Sequence, residues 1–338
     1  MNKLLTIFGL LCVSLLFSNC DDKEQDKVEF YPIPEGFPAF EIPADNLPTA
    51  DRIDLGKQLF FEKLLSKDST VSCGSCHLAG FAMADSLAVS PGIGGILGNR
   101  NSISIVNTAY QPHLMREGGV SSLEMQVLAP IQDPNEMDFN IVLVVERLKN
   151  DSHYQELSRL AYGRDIDPYV ITRSIACYER SLLSANSAYD AYSIHGELAQ
   201  FGSSEIAGMN LFFSERTSCS SCHGGFNFTD NSYKNNGLYE EYEDKGRERL
   251  TALPTDRALF KVPSLRNVGL TAPYMHNGQF NNLDTVLANY NAGGKGHPHQ
   301  SNLIRPLDLS QEEIGQLKDF LLSLSDHTLK SNPIFLED

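Results

Sequence analysis

Cys73-Gly74-Ser75-Cys76-His77 and Cys219-Ser220-Ser221-Cys222-His223 decide how this chain is read. Each spells C-x-x-C-H, the attachment pattern of c-type haem. Two thiols one helical turn apart can add to the two vinyl groups of one porphyrin. The adjacent His then brings an imidazole nitrogen to the iron. Two matches in one chain are not an accident of composition. The pattern implies two covalently bound haem c groups. Cys73, Cys76, Cys219 and Cys222 are the attachment points, and His77 and His223 the axial iron ligands.

Just upstream of each motif stands a similar phrase. Gly56-Lys57-Gln58-Leu59-Phe60-Phe61 and Gly208-Met209-Asn210-Leu211-Phe212-Phe213 both read G-x-x-L-F-F. Both lie in segments with helical apolar spacing, and Ile53, Leu55, Leu59 and Phe60 could form one face. A repeat tied twice to a haem motif points to duplication. The expected fold is mainly α, with two cytochrome c-like haem domains in tandem over residues 49–200 and 201–338. Further helices are expected within Phe139–Leu160, over Asp167–Leu183 with Pro168 in the first turn, and after the capping box Ser310-Gln311-Glu312-Glu313. Gly-, Asn- and Pro-containing stretches at 90–101, 224–238 and 291–306 read as ordered loops around the cofactors.

The chain has 338 residues, 41% hydrophobic and 21% charged, which suits about two globular domains. A net charge of −16 argues against nucleic acid and for a basic redox partner. Of seven Cys, four belong to the haem motifs, and Cys177 reads as a small core residue. Lys3 precedes an apolar run, Leu4–Phe17, and then Ser18-Asn19-Cys20. This resembles a secretory signal over residues 1–20, of the lipoprotein kind if Cys20 becomes the lipidated first residue, or of the ordinary cleaved kind. Residues 21–48 are polar and then Pro-rich, and read as a spacer. Export fits covalent haem, so the expected location is the periplasm or cell envelope, anchored to a membrane by lipid.

From about Asp51 to Asp326 the chain resembles the bacterial di-haem cytochrome c peroxidase family, which includes the MauG-type enzymes. Besides the haem motifs, the carriers are Leu123-Glu124-Met125-Gln126 with Ala129-Pro130 and Glu136-Met137. To these are added Lys261–Val268 and the block Leu270-Thr271-Ala272-Pro273-Tyr274-Met275-His276-Asn277-Gly278. The resemblance implies that the N-terminal haem meets peroxide and the C-terminal haem relays electrons. It puts Glu136 at the catalytic glutamate position and Gln126 at its neighbouring glutamine. Peroxide reduction needs an open iron position and a base that moves a proton between two oxygens. Many relatives carry a His in the loop after the first motif, a ligand that must leave before turnover. Here that loop, Ser90–Ile96, has none. His113 is the nearest other His, and reads as a surface residue.

For the second haem, two sixth ligands remain open. Met275 would raise the potential. Counting from His276, however, the family's ligand position falls at Tyr290, the MauG-type pattern. The resemblance also implies a calcium ion between the halves, with Asn101 and the carbonyls of Thr271 and Pro273 as donors. The family's inter-haem Trp falls at Arg116, and the chain contains no Trp. Hopping through an indole is thereby excluded. Tunnelling, a Tyr such as Tyr110 or Tyr274, or an arginine on the haem propionates stands in its place. His297 and His299 form an H-x-H that reads as a solvated loop.

Three functions follow as expectations. The first is a cytochrome-c peroxidase that reduces hydrogen peroxide to water with electrons from a small cytochrome c or cupredoxin. The second is a MauG-type oxidation of a partner protein's side chain. The third is a di-haem electron carrier, against which Gln126 and Glu136 speak. A homodimer is compatible with all three.

Overall fold

The computed structural model describes residues 30–338. The expected signal sequence, Cys20 and the polar part of the expected spacer lie outside the described residues. The helices are α1 (Ala50–Phe61), α2 (Leu123–Gln126), α3 (Leu128–Gln132), α4 (Ile141–Leu148), α5 (Ser152–Tyr162), α6 (Pro168–Ser181), α7 (Ala188–His195), α8 (Ser203–Phe212), α9 (Glu248–Thr251), α10 (Leu283–Asn291) and α11 (Gln311–Leu322). Two antiparallel strands of two residues each, β1 (Tyr233–Lys234) and β2 (Phe260–Lys261), form the one small sheet among the described residues. The rest is ordered loop and 3₁₀ turn. No described helix is long and apolar enough to cross a membrane.

Local chemistry sets the helix ends. Thr49 caps α1 by accepting from the Arg52 amide at 3.2 Å. Asp167 caps α6 from the Val170 amide at 2.9 Å, and Pro168 fills the first turn, where no amide donor is needed. Ser310 and Glu313 exchange hydrogen bonds at the start of α11, completing the expected capping box. Each such cap contributes about 1 kcal/mol.

The repeated G-x-x-L-F-F phrase builds the same helix crossing twice. A Cβ on Gly56 would lie 1.9 Å from the Ser174 carbonyl oxygen, and one on Gly208 would lie 1.9 Å from that of Gln316. Glycine is therefore what lets α1 press on α6, and α8 on α11. The following aromatics repeat as well. Phe60 meets Tyr178 with ring centroids 5.1 Å apart at 58°, and Phe212 meets Phe320 at 5.1 Å and 56°. Around the first crossing a core gathers Leu55, Leu59, Ile131, Val144, Leu148 and Ile171. Around the second another gathers Phe201, Phe228, Leu317, Leu321 and Leu324. Cys177 lies fully inside the first core and donates to Asn46 Oδ1 at 3.2 Å, as a small core residue should.

Two segments depart from the expected division. Residues 30–48 are not a free spacer. Tyr31 is buried and donates its hydroxyl to the Cys177 carbonyl at 3.0 Å. Phe37 packs on Tyr110 of the first half (5.8 Å) and on Phe226 of the second (4.9 Å), so the segment straps both. At the other end, Leu329 and Phe335 enter the first core, and Tyr178 donates to the Ile334 carbonyl at 2.8 Å. The chain thus crosses back, and the second half's own packing ends before residue 329. In both segments a few apolar side chains outweigh a polar or Pro-rich composition.

A third repeated element joins these. Asn107 (φ 59°) and Asn267 (φ 62°) each open a 3₁₀ turn. Met115 (φ 66°) and Met275 (φ 78°) then turn loops closed by the bridges Leu114–Val120 and Tyr274–Phe280. Ser122 and Asn282 cap the helices that follow. Duplication is therefore longer than the two haem phrases suggest. Its signal was the spacing Met-x-x-Gly shared by Met115–Gly118 and Met275–Gly278.

Candidate haem sites

Both C-x-x-C-H motifs fold as one 3₁₀ turn, Cys73–Ser75 and Cys219–Ser221. Their four Cys are free thiols, available for thioether bonds. His77 Nδ1 lies 2.8 Å from the Met83 carbonyl, and His223 Nδ1 lies 3.3 Å from that of Phe228. An Nδ1–H donated to a carbonyl fixes the tautomer and leaves Nε2 for a metal. The carbonyls are aimed by left-handed residues, Met83 (φ 57°) and Phe228 (φ 51°). Burial, the dominant influence, lowers both imidazoles below their ordinary range and keeps them neutral, as ligands must be. Thiol pairs, oriented imidazoles and surrounding apolar side chains suit covalent haem at both places.

At the first site Glu136 stands near the attachment cysteines. Burial pushes the Cys73 thiol up most, and Glu179, Cys76 and Glu136 add to it. Cys76 is raised by burial too; a hydrogen bond from Ser90 lowers it, and Asp85 and Glu136 raise it further. Glu136 itself remains accessible to solvent, yet desolvation and then the Asp133 carboxylate push it up to about 7. A carboxyl poised there can give or take a proton near neutrality. Its backbone is fixed by the His-less loop. The Ile93 amide donates to the Glu136 carbonyl at 2.8 Å, and a Cβ on Gly92 would lie 2.0 Å from the Asn135 carbonyl oxygen. Sequence reading took that loop only as lacking a ligand; it is also the backing of Glu136.

Gln126 ends α2 and is half-buried. Its neighbour Glu124 has another task, gripping Arg180 at 2.7 and 3.0 Å and accepting from Asn46 at 2.7 Å. His113 is exposed, and only its carbonyl is engaged, by Lys261 at 2.7 Å.

Glu179, on α6, was not singled out from sequence. It is buried, and its Oε2 has no partner. Burial, against the lowering by Arg180 and with the raising by Glu124, pushes it from 4.5 up to about 8. Between those values the folded chain holds a proton that the unfolded chain has released. Stability therefore falls as pH rises through that window. Glu179→Gln should flatten this decline, read as urea midpoints collected from pH 5 to pH 8.

At the second site a cavity of about 300 Å³ is lined by Cys219, Cys222, His223, Met275 and Tyr290. Burial first, a hydrogen bond with Asn236 against it, and then Cys219 and Cys222 push the Tyr290 phenol up to about 12. Tyr290 is thus brought to the attachment cysteines from α10, although 67 residues separate it from His223. The Met275 sulfur accepts from Asn236 at 3.2 Å. His276 stacks on Phe260 at 4.3 Å and 19°, and burial, then Arg116, lowers it to about 4. His297 is buried beside Tyr242, and its Nδ1 accepts from the His299 amide at 3.0 Å. The H-x-H is therefore packed rather than solvated. No cluster of three or more His, Cys, Asp or Glu able to hold a metal occurs among the described residues.

The same cavity runs on between the halves to Asn101, Arg116, Thr271 and Pro273. One of the three expected calcium donors, Asn101, is already engaged. Asn101 gives both its carbonyl and its Oδ1 to the Arg116 guanidinium, at 2.8–3.0 Å.

The di-haem cytochrome c peroxidase family model matches residues 50–199. Methylamine utilization protein MauG of Methylorubrum extorquens is 32% identical over 329 residues, 95% of this chain and 90% of the relative. The chain belongs to the di-haem cytochrome c peroxidase family. Cytochrome c551 peroxidase of Pseudomonas aeruginosa is 31% identical over 275 residues, 78% of each chain. Among solved structures, a MauG-like protein associated with microbial copper homeostasis has a TM-score of 0.86 at 31% identity, over 90% of this chain and 97% of that one. Both branches of the family, the peroxidases and the MauG proteins, are thus represented at similar identity.

Proposed function

We propose that the chain is a di-haem peroxidase of the periplasm that reduces hydrogen peroxide to water. Its two halves act as tandem cytochrome c-like domains, the first reacting and the second receiving electrons. When bound, the haem at Cys73 and Cys76 supplies the iron position for peroxide, and the haem at Cys219 and Cys222 the electron path from a small cytochrome c or cupredoxin.

The observation that carries this reading is Glu136 beside the first motif, with its carboxyl raised to about 7. As carboxylate, Glu136 takes the proton of the nearer peroxide oxygen. As acid, it returns that proton to the departing one. Gln126 orients the peroxide from α2. His77 is held by the Met83 carbonyl. The electron-carrier reading gives Glu136 nothing to do.

The repeat supports an asymmetry between the halves. Seven residues after Leu283 comes Tyr290; seven after Leu123 comes Pro130, which offers no ligand atom. Together with the His-less loop, this would leave a haem held by His77 with an open position, whereas Tyr290 would supply a second ligand to a haem held by His223. At rest, EPR of the haem-loaded protein should show a high-spin signal beside a low-spin His/Tyr signal. Tyr290→Phe should remove the low-spin signal and leave the other. A resting spectrum with low-spin haem alone would contradict the open first site.

The MauG-type reading draws on the 32% identity to MauG and on the Tyr290 position. In that case peroxide would oxidise a partner protein's side chain, and turnover would need no reducing donor. Arg116 in place of the family's Trp weighs against it. Lipid attachment through Cys20, on a chain whose net charge of −16 would attract a basic donor, completes the proposal. A homodimer fits it equally.

A further inference from the structure

A half-buried arginine, Arg116, lines the seam between the halves. Arg116 Nε donates to the Asn101 carbonyl at 3.0 Å, and Nη2 donates to that carbonyl at 2.8 Å and to Asn101 Oδ1 at 2.9 Å. Asn101 is buried, and its remaining groups are also engaged. Its amide donates to the His276 carbonyl at 2.9 Å, and its Nδ2 donates to the Leu87 carbonyl at 3.1 Å. Arg116 thus fixes Asn101 within the first half, and the Asn101 backbone amide reaches the second half at His276.

Arg116 makes no ion pair among the described residues. The two carboxylates closest to it in charge, Glu117 and Asp244, are gripped by Arg100, the latter at 2.7 and 2.9 Å. Arg100 and Lys261 add further positive charge. A calcium ion needs six to eight oxygens close around it, commonly with carboxylates among them. Here both Asn101 oxygens are already bonded to a guanidinium, in a cavity that Thr271 and Pro273 also line and in a neighbourhood whose carboxylates are neutralised. A planar guanidinium donating three hydrogen bonds to two oxygens fits this geometry as a divalent ion beside it does not.

We propose that Arg116 is the built-in cation of this seam and replaces the calcium ion that the family resemblance implies. The Asn101 oxygens at the seam are held by a covalently attached charge, so this part of the seam needs no calcium and is indifferent to chelators. This stands apart from the peroxidase reading, because it concerns metal content and assembly rather than turnover.

The test uses the full haem-loaded chain, equilibrated with calcium chloride and then freed of loose ions by gel filtration. Elemental analysis should find far less than one calcium per chain, and excess EGTA should leave the thermal midpoint unchanged. One calcium per chain, with a midpoint that falls when EGTA removes it, would overturn the proposal. Arg116→Gln removes the charge and frees both Asn101 oxygens. It should bind calcium in titration calorimetry at about 10⁻⁵–10⁻³ M, between the sensor and weak extracellular ranges, and be stabilised by it. Wild-type protein binding calcium as the variant does would overturn the proposal equally. The wild-type measurements decide the matter if the variant does not fold.

Discussion

Replacing Glu136 by Gln should lower peroxide turnover by about 10²–10⁴-fold, the usual worth of a positioned general acid–base group. Haem content and the resting spectrum should stay as they are, because Glu136 holds its loop through its backbone. Its carbonyl accepts from Ile93 and its amide donates to the Asp133 carbonyl, and glutamine keeps both contacts. The pH profile adds a second signature. With the carboxyl raised to about 7 by desolvation and by Asp133, the fraction able to accept a proton grows through neutrality. Turnover should rise with pH to a plateau above about 7, and that inflection should vanish in Glu136→Gln. Unchanged turnover in the variant would take Glu136 out of the chemistry.

The second large effect is on stability. Gly56→Ala and Gly208→Ala should each cost about 3 kcal/mol or more, at or beyond the upper end of ordinary overpacking. The added Cβ would meet a backbone carbonyl at 1.9 Å in both cases, and a backbone cannot swing aside as a side chain can. The paired helices must separate, and the Phe60–Tyr178 or Phe212–Phe320 packing goes with them. Gly315, on α11, is the contrasting position, because nothing stands within 4 Å of a Cβ there. Gly315→Ala should stabilise by about 0.5–1 kcal/mol, the helical cost of glycine. Urea unfolding of the three variants measures these effects. A Gly56→Ala midpoint equal to wild type would mean that the close crossing does not form.

These two cases mark what could be read from the residues. C-x-x-C-H names its cofactor because covalent attachment demands that spacing. The G-x-x-L-F-F phrase disclosed duplication, but the reason for its glycine lies on another helix, 118 residues away for Gly56 and Ser174. The strap at residues 30–48 was misread because Pro-rich composition hides three useful side chains. Tyr31, Phe37 and Phe40 are too widely spaced for a helix or strand pattern, yet each finds an aromatic partner. The return of Leu329 and Phe335 to the first core was invisible for a similar reason: tertiary contact alone places them.

At the site, legibility followed the same divide. Glu136 could be assigned only by resemblance, since a lone acid after Pro134 carries no pattern of its own. What raises it is a neighbouring loop and Asp133. Tyr290 emerged from counting along the family block, and the fold brings it to Cys219 and Cys222. Two of the three expected calcium donors, Thr271 and Pro273, were taken from the same block, and the third, Asn101, lies against Arg116. Arg116 was visible as the residue in the Trp position; its grip on Asn101 was not.

The central claim is that the first half reacts with peroxide rather than merely passing electrons. Stopped-flow mixing of the haem-loaded protein with hydrogen peroxide, in the ferric and half-reduced states, tests it most directly. The account predicts rapid consumption of peroxide, with two electrons withdrawn from the protein for each molecule. A protein that leaves peroxide untouched in both states would be an electron carrier, and would contradict it.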